Sequence, residues 1–381
     1  MFWVFLSILL LICVVFLGYD HIDTLKNWIG RIKIGTAGGR DSWRGVIIKW
    51  LDKGTPSVPV DENKSFKLID VIKNRGKVNT VAYWQDAAVL KAATAMDGDY
   101  IHESIAILAE RYTDPFSGEW KLEPQRVDSA MLAYEMLCCP HIDNSVTEPA
   151  ADYVAEMLIG LARDYGTVPY NRNVPDVRFV DTVGMICPFL IKYAEVYKKT
   201  DCIDIAMEQI KEYNEYGLNE NGIPIHCFSK ESKDPLGIYG WGRGCAWWAL
   251  GLTDSLRSLL KLDGFNSEKA YLLKNLIAFL DKLIGYQRPD GSFGRMLFTD
   301  SLEDSSAAAM FAYCFKYAYS LTKDEKYRDA AEKTLDHLLL CTRRDGVIDY
   351  SQGDTGGIGF YSDSLSVIPA AQGFAVTADI L

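Results

Sequence analysis

Residues 238–256 read IYGWGRGCAWWALGLTDSL, a glycine-punctuated loop that turns at once into an apolar helical pattern. Trp248, Leu252, Leu256 and Leu259 recur at helical spacing, which predicts a helix over 245–262. Three of the chain's nine tryptophans crowd its start, with Arg243 set between Gly242 and Gly244. The glycines are expected to turn the backbone tightly and to present Arg243 rather than pack it. The guanidinium then offers a planar fork for a carboxylate, and Trp241 and Trp247 offer faces for a sugar ring. The competing reading makes Arg243 an ion-pair partner inside a helical core, with the tryptophans as packing.

The same periodicity runs outward in both directions. It predicts helices near 83–96, 100–112, 126–138, 148–163, 181–199, 203–216, 245–262, 267–287, 304–322 and 325–341, and a weaker one near 363–379, while alternating strand patterns are scarce. The connections carry a second repeat: SGEW (117–120), YGTVPYN (165–171), NGIPIH (221–226), DGSFG (290–294) and DGVIDY (345–350). Their glycines, Gly118, Gly166, Gly222, Gly291 and Gly346, stand 48, 56, 69 and 55 residues apart, with about two helices in each interval. Helical hairpins that cannot bury their own faces must stack or close on neighbours. The expectation is an all-α (α/α)6 toroid over residues 81–381, with an open superhelix as the alternative.

Forty basic against fifty-one acidic residues give a net charge of −11, which disfavours nucleic acid as a partner. No cysteine pair has metal or redox C-x-x-C spacing, and the five histidines are scattered, so no metal centre is expected. Residues 1–19 carry no charged side chain, and at about 1.5 Å per residue they form a helix of roughly 28 Å, close to the hydrocarbon thickness. Without a basic leading segment or a small-residue cleavage pattern, this is expected to be a transmembrane anchor. Lys26, Arg31, Lys33, Arg40 and Arg44 follow it, which favours a single-pass protein with its body on the cytoplasmic side. Residues 20–80, with TAGGRDSW and KGTPSVPVDENK, are expected to be a juxtamembrane linker and an irregular lead-in.

Two aspartates open helices 53 residues apart: Asp128 in EPQRVDSAMLAYEML and Asp181 in RFVDTVGMICPFLIKYAEVY. Each is either an ordinary helix cap or one of a pair of carboxylates facing a shared cavity, as acid/base attack on a sugar requires. His226 lies on the loop ahead of the Trp241 helix, on the same expected face. The segment LEDSSAAAMFAYCF (302–315) reads mainly as close helix packing, with Asp304 and Ser305 at an ordinary helix start.

WGRGCAWWALG resembles the W-x-R-G-(N/Q)-(G/A)-W motif of unsaturated glucuronyl and rhamnogalacturonyl hydrolases, glycoside hydrolase families 88 and 105. VDTVGMICPFL resembles their aspartate-bearing helix start, and EDSSAAAMFAYCF their acidic-Ser-small-Ala segment. The resemblance runs over roughly residues 80–370, with Cys245 in place of the motif's amide. It implies an (α/α)6 barrel that needs no metal or organic cofactor. It also implies removal of a terminal unsaturated uronic acid from an oligosaccharide, by hydration of a vinyl ether. By position, Asp181 matches the acid/base and Asp128 the second aspartate, while His226, Trp241, Arg243 and Trp247 match substrate-binding positions. Two alternatives remain: an ordinary inverting glycosidase on the same fold, and a non-catalytic glycan-binding protein of envelope polysaccharide assembly.

Overall fold

The structure, a computed structural model, describes residues 2–32, 34–35, 38–56, 58–59, 80–81 and 83–381. An apolar helix α1 (Phe2–Asp20) and a short helix α2 (Ile22–Gly30) come first. Six helices then form an inner ring: α4 (Tyr83–Ala95), α6 (Ser129–Cys138), α8 (Val180–Tyr197), α10 (Gly242–Leu259), α12 (Ser305–Thr322) and α14 (Pro369–Ile380). They pack in that order, and α14 returns against α4, so the ring is closed. The open superhelix is thereby excluded. Six outer helices alternate with them: α3 (Asp41–Lys53), α5 (Asp99–Tyr112), α7 (Asn144–Tyr165), α9 (Asp201–Tyr216), α11 (Asn266–Ile284) and α13 (Glu325–Leu340).

Burial explains which helices are inner. Every residue of α10 except Arg257 is buried, whereas α11 buries only one stripe, Leu272, Leu276, Phe279, Leu280 and Leu283. A helix apolar on all sides needs neighbours on all sides, and an amphipathic one needs only one. The five repeating glycines each follow an outer helix and lead to the next inner one, so those loops gather at the ring face that holds the inner helix N-termini. All five adopt positive φ, between 70° and 90°, where a Cβ would be strained.

Two expectations need correction. The stretch read as linker and lead-in contains α3, whose Trp43, Val46, Ile47, Trp50 and Leu51 are buried against the ring. It is the outer helix that completes the sixth hairpin, packing on α4, α5 and α14. Its apolar stripe is short and lies among Gly, Pro and charge, so composition hid the period. The same stretch also holds α2, and of its residues 33, 36–37, 57 and 60–79 lie outside the described residues. The last helix also begins later than expected, at Pro369, because residues 365–366 form a strand.

Among the described residues strands are few and short. β1 (Val58–Pro59) pairs with β2 (Thr80–Val81), and β3 (Val177–Phe179), β4 (Ile225–Ser229) and β5 (Pro235–Tyr239) form an antiparallel sheet. β6 (Ser351–Gln352) pairs with β7 (Leu365–Ser366). The three-stranded sheet delivers His226, and β6 and its neighbours form the wall facing it.

Helix α1 is exposed along its length, and Phe2–Tyr19 is long and apolar enough to cross a membrane, as a signal sequence also would be. Three of the basic residues after it are tied to the ring. Arg31 pairs with Asp349 at 2.9 Å, Arg40 with Glu332, Asp336 and Asp379, and Arg44 with Asp379 at 2.8 Å. Lys33 lies outside the described residues.

Inside the ring, Lys91 of α4 is buried and reaches Glu135 of α6 at 2.7 Å and Asp254 of α10 at 3.1 Å. Tyr313 of α12 donates to Asp254, and its ring lies 4.8 Å from the ammonium. Burial opposes the charge on Lys91, but Asp254 and Glu135 outweigh it and hold the ammonium well above its ordinary pKa. Lys91→Met strands two buried carboxylates and is expected to destabilise the fold by about 3–5 kcal/mol. Adding Glu135→Gln should recover part of that loss. Unfolding followed by circular dichroism measures both.

Candidate active site

The inner helices point their N-termini at one mouth, and the candidate residues sit on these ends. Asp128 immediately precedes α6, Asp181 is the second residue of α8, and Trp241 immediately precedes α10. True side-chain caps occur elsewhere: Asp143, Asp304 and Asp324 accept from Ser145, Ser306 and Lys326 amides. Such a cap is worth about 1 kcal/mol. Asp128 makes no side-chain cap bond, and neither of its carboxyl oxygens has a hydrogen-bond partner among the described residues, although the side chain is 1% exposed. Its nearest cation is Arg126, at 3.5 Å. Burial raises the Asp128 pKa to about 6, against the opposing pull of Arg126.

Asp181 is in a related condition, with its side chain 13% exposed. Its Oδ2 has no hydrogen-bond partner among the described residues and lies 3.8 Å from His226 Nε2. Burial lifts its pKa to about 7; its own backbone amide and Arg243 oppose the shift, and Asp354 adds to it. His226 is pushed down to about 4 by burial and by Arg243, so near neutrality it carries no charge. Tyr361 Oη lies 3.0 Å from His226 Nδ1 and accepts from the Ile238 amide at 3.2 Å. The pattern that uses all three groups has Tyr361 donating to Nδ1, which leaves the imidazole proton on Nε2, directed at Asp181.

Arg243 is not presented to solvent. It is buried, donating from Nη1 to the Gln352 carbonyl at 2.6 Å and from Nη2 to the Gly353 carbonyl at 2.7 Å. Asp354 lies 3.8 Å from the same guanidinium. The fork expected to meet a ligand therefore holds the end of β6 and the residue after it. The flanking glycines also serve another purpose, since neither has positive φ. A Cβ on Gly242 would stand 2.7 Å from the Gly294 carbonyl oxygen, and one on Gly244 2.7 Å from the Trp241 ring. They permit close packing, not exposure.

The two tryptophans are buried as well. Trp241 donates from Nε1 to Gln352 at 2.9 Å, and its ring lies 4.7 Å from that of His226. Trp247 packs edge-on to Trp84, with ring centroids 5.3 Å apart, and covers Gly184 of α8. Neither offers an open face in this conformation. Cys245 is fully buried, and burial pushes its thiol pKa up, so it stands as a small apolar group.

Sequence reasoning missed Asp354, Arg126, Tyr170 and Tyr361. Asp354 contributes to the field at both Asp128 and Asp181, so three carboxylates and two guanidiniums share one mouth. The Tyr170 pKa is raised by burial and by Asp128 and Asp181. Arg126 and Tyr170 lie within segments already singled out, EPQRVDSA and YGTVPYN. Asp354 and Tyr361 come from QGDTGGIGFYSDS, which has no helical period; an acid and aromatics between glycines at the final loop position were the available signal.

Residues 74–378 match the family model described as Glycosyl Hydrolase Family 88. No curated protein matches the chain significantly. Among solved structures, a possible GH105 family member from Salmonella enterica is similar at 18% identity and TM-score 0.70, over 90% of this chain and 93% of that one. An unsaturated glucuronyl hydrolase specific for heparin is similar at 13% identity and TM-score 0.64, over 90% and 96%. An unsaturated glucuronyl hydrolase from Bacillus sp. GL1, responsible for glycosaminoglycan degradation, is similar at 16% identity and TM-score 0.62, over 89% and 94%.

The raised carboxyl at Asp181 has a stability consequence. The folded chain keeps this proton up to about pH 7, whereas the unfolded chain releases it near the ordinary value of 3.8. The folded state thus binds more protons in between, and this contribution to stability is lost as pH rises from about 4 through about 7. Asp181→Asn removes the loss. Its melting temperature is expected to exceed that of the wild type at pH 8, with the gap closing towards pH 4.

Proposed function

Because the chain belongs to glycosyl hydrolase family 88, we propose that it removes a terminal unsaturated uronic acid from an oligosaccharide by hydrating a vinyl ether. One observation carries the reading: Asp181 is a largely buried carboxyl at the mouth of the ring, with one oxygen unpartnered among the described residues and a pKa near 7. Such a group is neutral often enough to give a proton and basic enough to take one back. In the proposed reaction the neutral Asp181 protonates C4 of the C4=C5 double bond. The resulting carboxylate takes a proton from the water that adds at C5. The hemiketal so formed then collapses and frees the leaving sugar.

Asp128 is proposed to orient the sugar, and His226 to hold the Asp181 carboxyl or a substrate oxygen through its Nε2 proton. Trp241 and Arg243 form the wall that carries Asp354, and Trp247 backs α8 from the core. The partly exposed guanidinium of Arg126 is proposed to meet the substrate's carboxylate at the rim. The similar structures named for glucuronyl hydrolysis, one of them specific for heparin, support an acidic oligosaccharide as the substrate class.

The test follows the ultraviolet absorbance of the conjugated double bond in a lyase-generated disaccharide. The wild type should abolish it while releasing sugar, with activity falling as pH rises above about 7. Asp181→Asn should abolish turnover and leave affinity near that of the wild type; Asp128→Asn should impair both. Sugar release with the absorbance retained would establish an ordinary inverting glycosidase instead, and binding without turnover a glycan-binding protein.

Helix α1 is proposed to remain as a membrane anchor, with the body on the cytoplasmic side. A C-terminal reporter fusion is expected to behave as cytoplasmic in intact cells. Labelling of that terminus from outside would reverse the orientation.

A further inference from the structure

Away from the carboxylates at the mouth, three side chains of metal-ligand type converge on one point. His337 is in the last turn of α13, and Cys341 follows four residues later on the same helix face. Glu303 arrives from the neighbouring connection, where it bridges Gly294 just before Asp304 caps α12. The His337 imidazole Nε2, the Cys341 thiol and one Glu303 carboxyl oxygen lie within 4.8 Å of one another. The thiol sulfur stands 3.5 Å from the Glu303 oxygen and 3.5 Å from His337 Nε2, and Nε2 and the carboxylate are in direct contact.

We propose that Glu303, His337 and Cys341 bind a single zinc-class divalent transition-metal ion. Zinc bonds of about 2.0–2.3 Å in a tetrahedron put ligand atoms about 3.3–3.8 Å apart. The two sulfur separations already fall in that range, so only the Glu303–His337 contact has to open. One thiolate, one imidazole and one carboxylate suit zinc or cobalt and do not suit calcium or magnesium, which take oxygen ligands.

A second observation concerns the other side of the imidazole. His337 is 9% exposed, and its Nδ1 has no hydrogen-bond partner among the described residues. The nearest acceptor is Asp290, whose carboxyl lies 3.7 Å away and is itself held by Ser292 Oγ at 2.7 Å. A metal-bound histidine commonly donates its second N–H to a carboxylate, and Asp290 stands where that partner belongs. A divalent ion bound here would hold the Cys341 sulfur as the thiolate. Glu303 is the most exposed of the three ligands, which leaves a fourth position for water.

The ion would pin the end of α13 to the start of α12, next to the mouth. Asp304, adjacent to Glu303, accepts from the Gln352 amide at 3.0 Å, and the Asp349 amide donates to the Cys341 carbonyl at 3.1 Å. Both ends of the segment that carries Gln352 therefore depend on these residues.

Cobalt tests the proposal on the full chain in detergent after chelator treatment. One Co2+ per chain should bind, with a thiolate-to-cobalt band in the near ultraviolet and tetrahedral bands in the visible. Zn2+ should displace it, and either ion should raise the melting temperature. Cys341→Ser should lose the thiolate band, whereas Cys138→Ser should keep it. Glu303→Gln, at a partly exposed position, should weaken binding by about 100-fold or more, since loss of even an outer partner costs about 10–100-fold. Absence of the band in the wild type, its survival in Cys341→Ser, or unchanged affinity in Glu303→Gln would overturn the proposal.

Discussion

A ring of six helices has an axis that no backbone occupies, and the Lys91 ammonium lies within the polar cluster that bridges it. It joins α4 to α6 and α10 by ion pairs, and through Asp254 the link extends to Tyr313 of α12. Arg257 approaches the Tyr313 hydroxyl at 3.3 Å, so two cations face two carboxylates and the buried cluster is formally neutral. Hydrophobic side chains alone could fill the axis, and a buried ion pair is not a source of net stability by itself. Its value lies in geometry: the partners are satisfied only when these helices stand in one rotational setting.

The mouth inverts this arrangement. At Lys91 each buried charge has opposite charges in contact, and the ammonium is held charged. At Asp128 and Asp181 the desolvation is similar but oxygens are left without partners, and both carboxyls are pushed towards neutrality. The two sets of buried acids thus differ in contact: one is touched directly by an ammonium, and the other keeps oxygens without hydrogen-bond partners among the described residues. Perturbed groups of the second kind are characteristic of functional sites. The hydrogen-bond chain from the Ile238 amide through Tyr361 to His226 holds a neutral imidazole beside Asp181, so the histidine does not quench the carboxyl with a full charge.

Much of this is legible in the sequence. The glycines at 118, 166, 222, 291 and 346 announced the hairpin repeat because positive φ is a backbone demand that few other residues meet. Asp128 and Asp181 were legible as a recurring pair. Three features were not. The helix α3 has too short an apolar stripe to stand out from its polar surroundings. Arg243 looked free because glycines next to an arginine suggest exposure, whereas their role is steric, against the Gly294 carbonyl and the Trp241 ring. Asp354 and Tyr361 reach the mouth on an aperiodic segment, and the carbonyls that fix Arg243 belong to residues more than a hundred positions away. Pattern reads local periodicity; it does not read which distant backbone a side chain will meet.

The closing of the ring sets an order in time. Helix α14 packs on α4, and the Ala370 amide donates to Gln85 across 285 residues of sequence. Loop closure over such a separation is slow relative to the local hairpins. While the chain is being made, five hairpins can form one after another as each outer helix finds its inner partner. The apolar flanks of α4 and α12 nevertheless stay uncovered until α14 leaves the ribosome. Helix α14 therefore acts as a keystone: the polar cluster on the axis and the mouth at its end reach their final geometry only after it has been made.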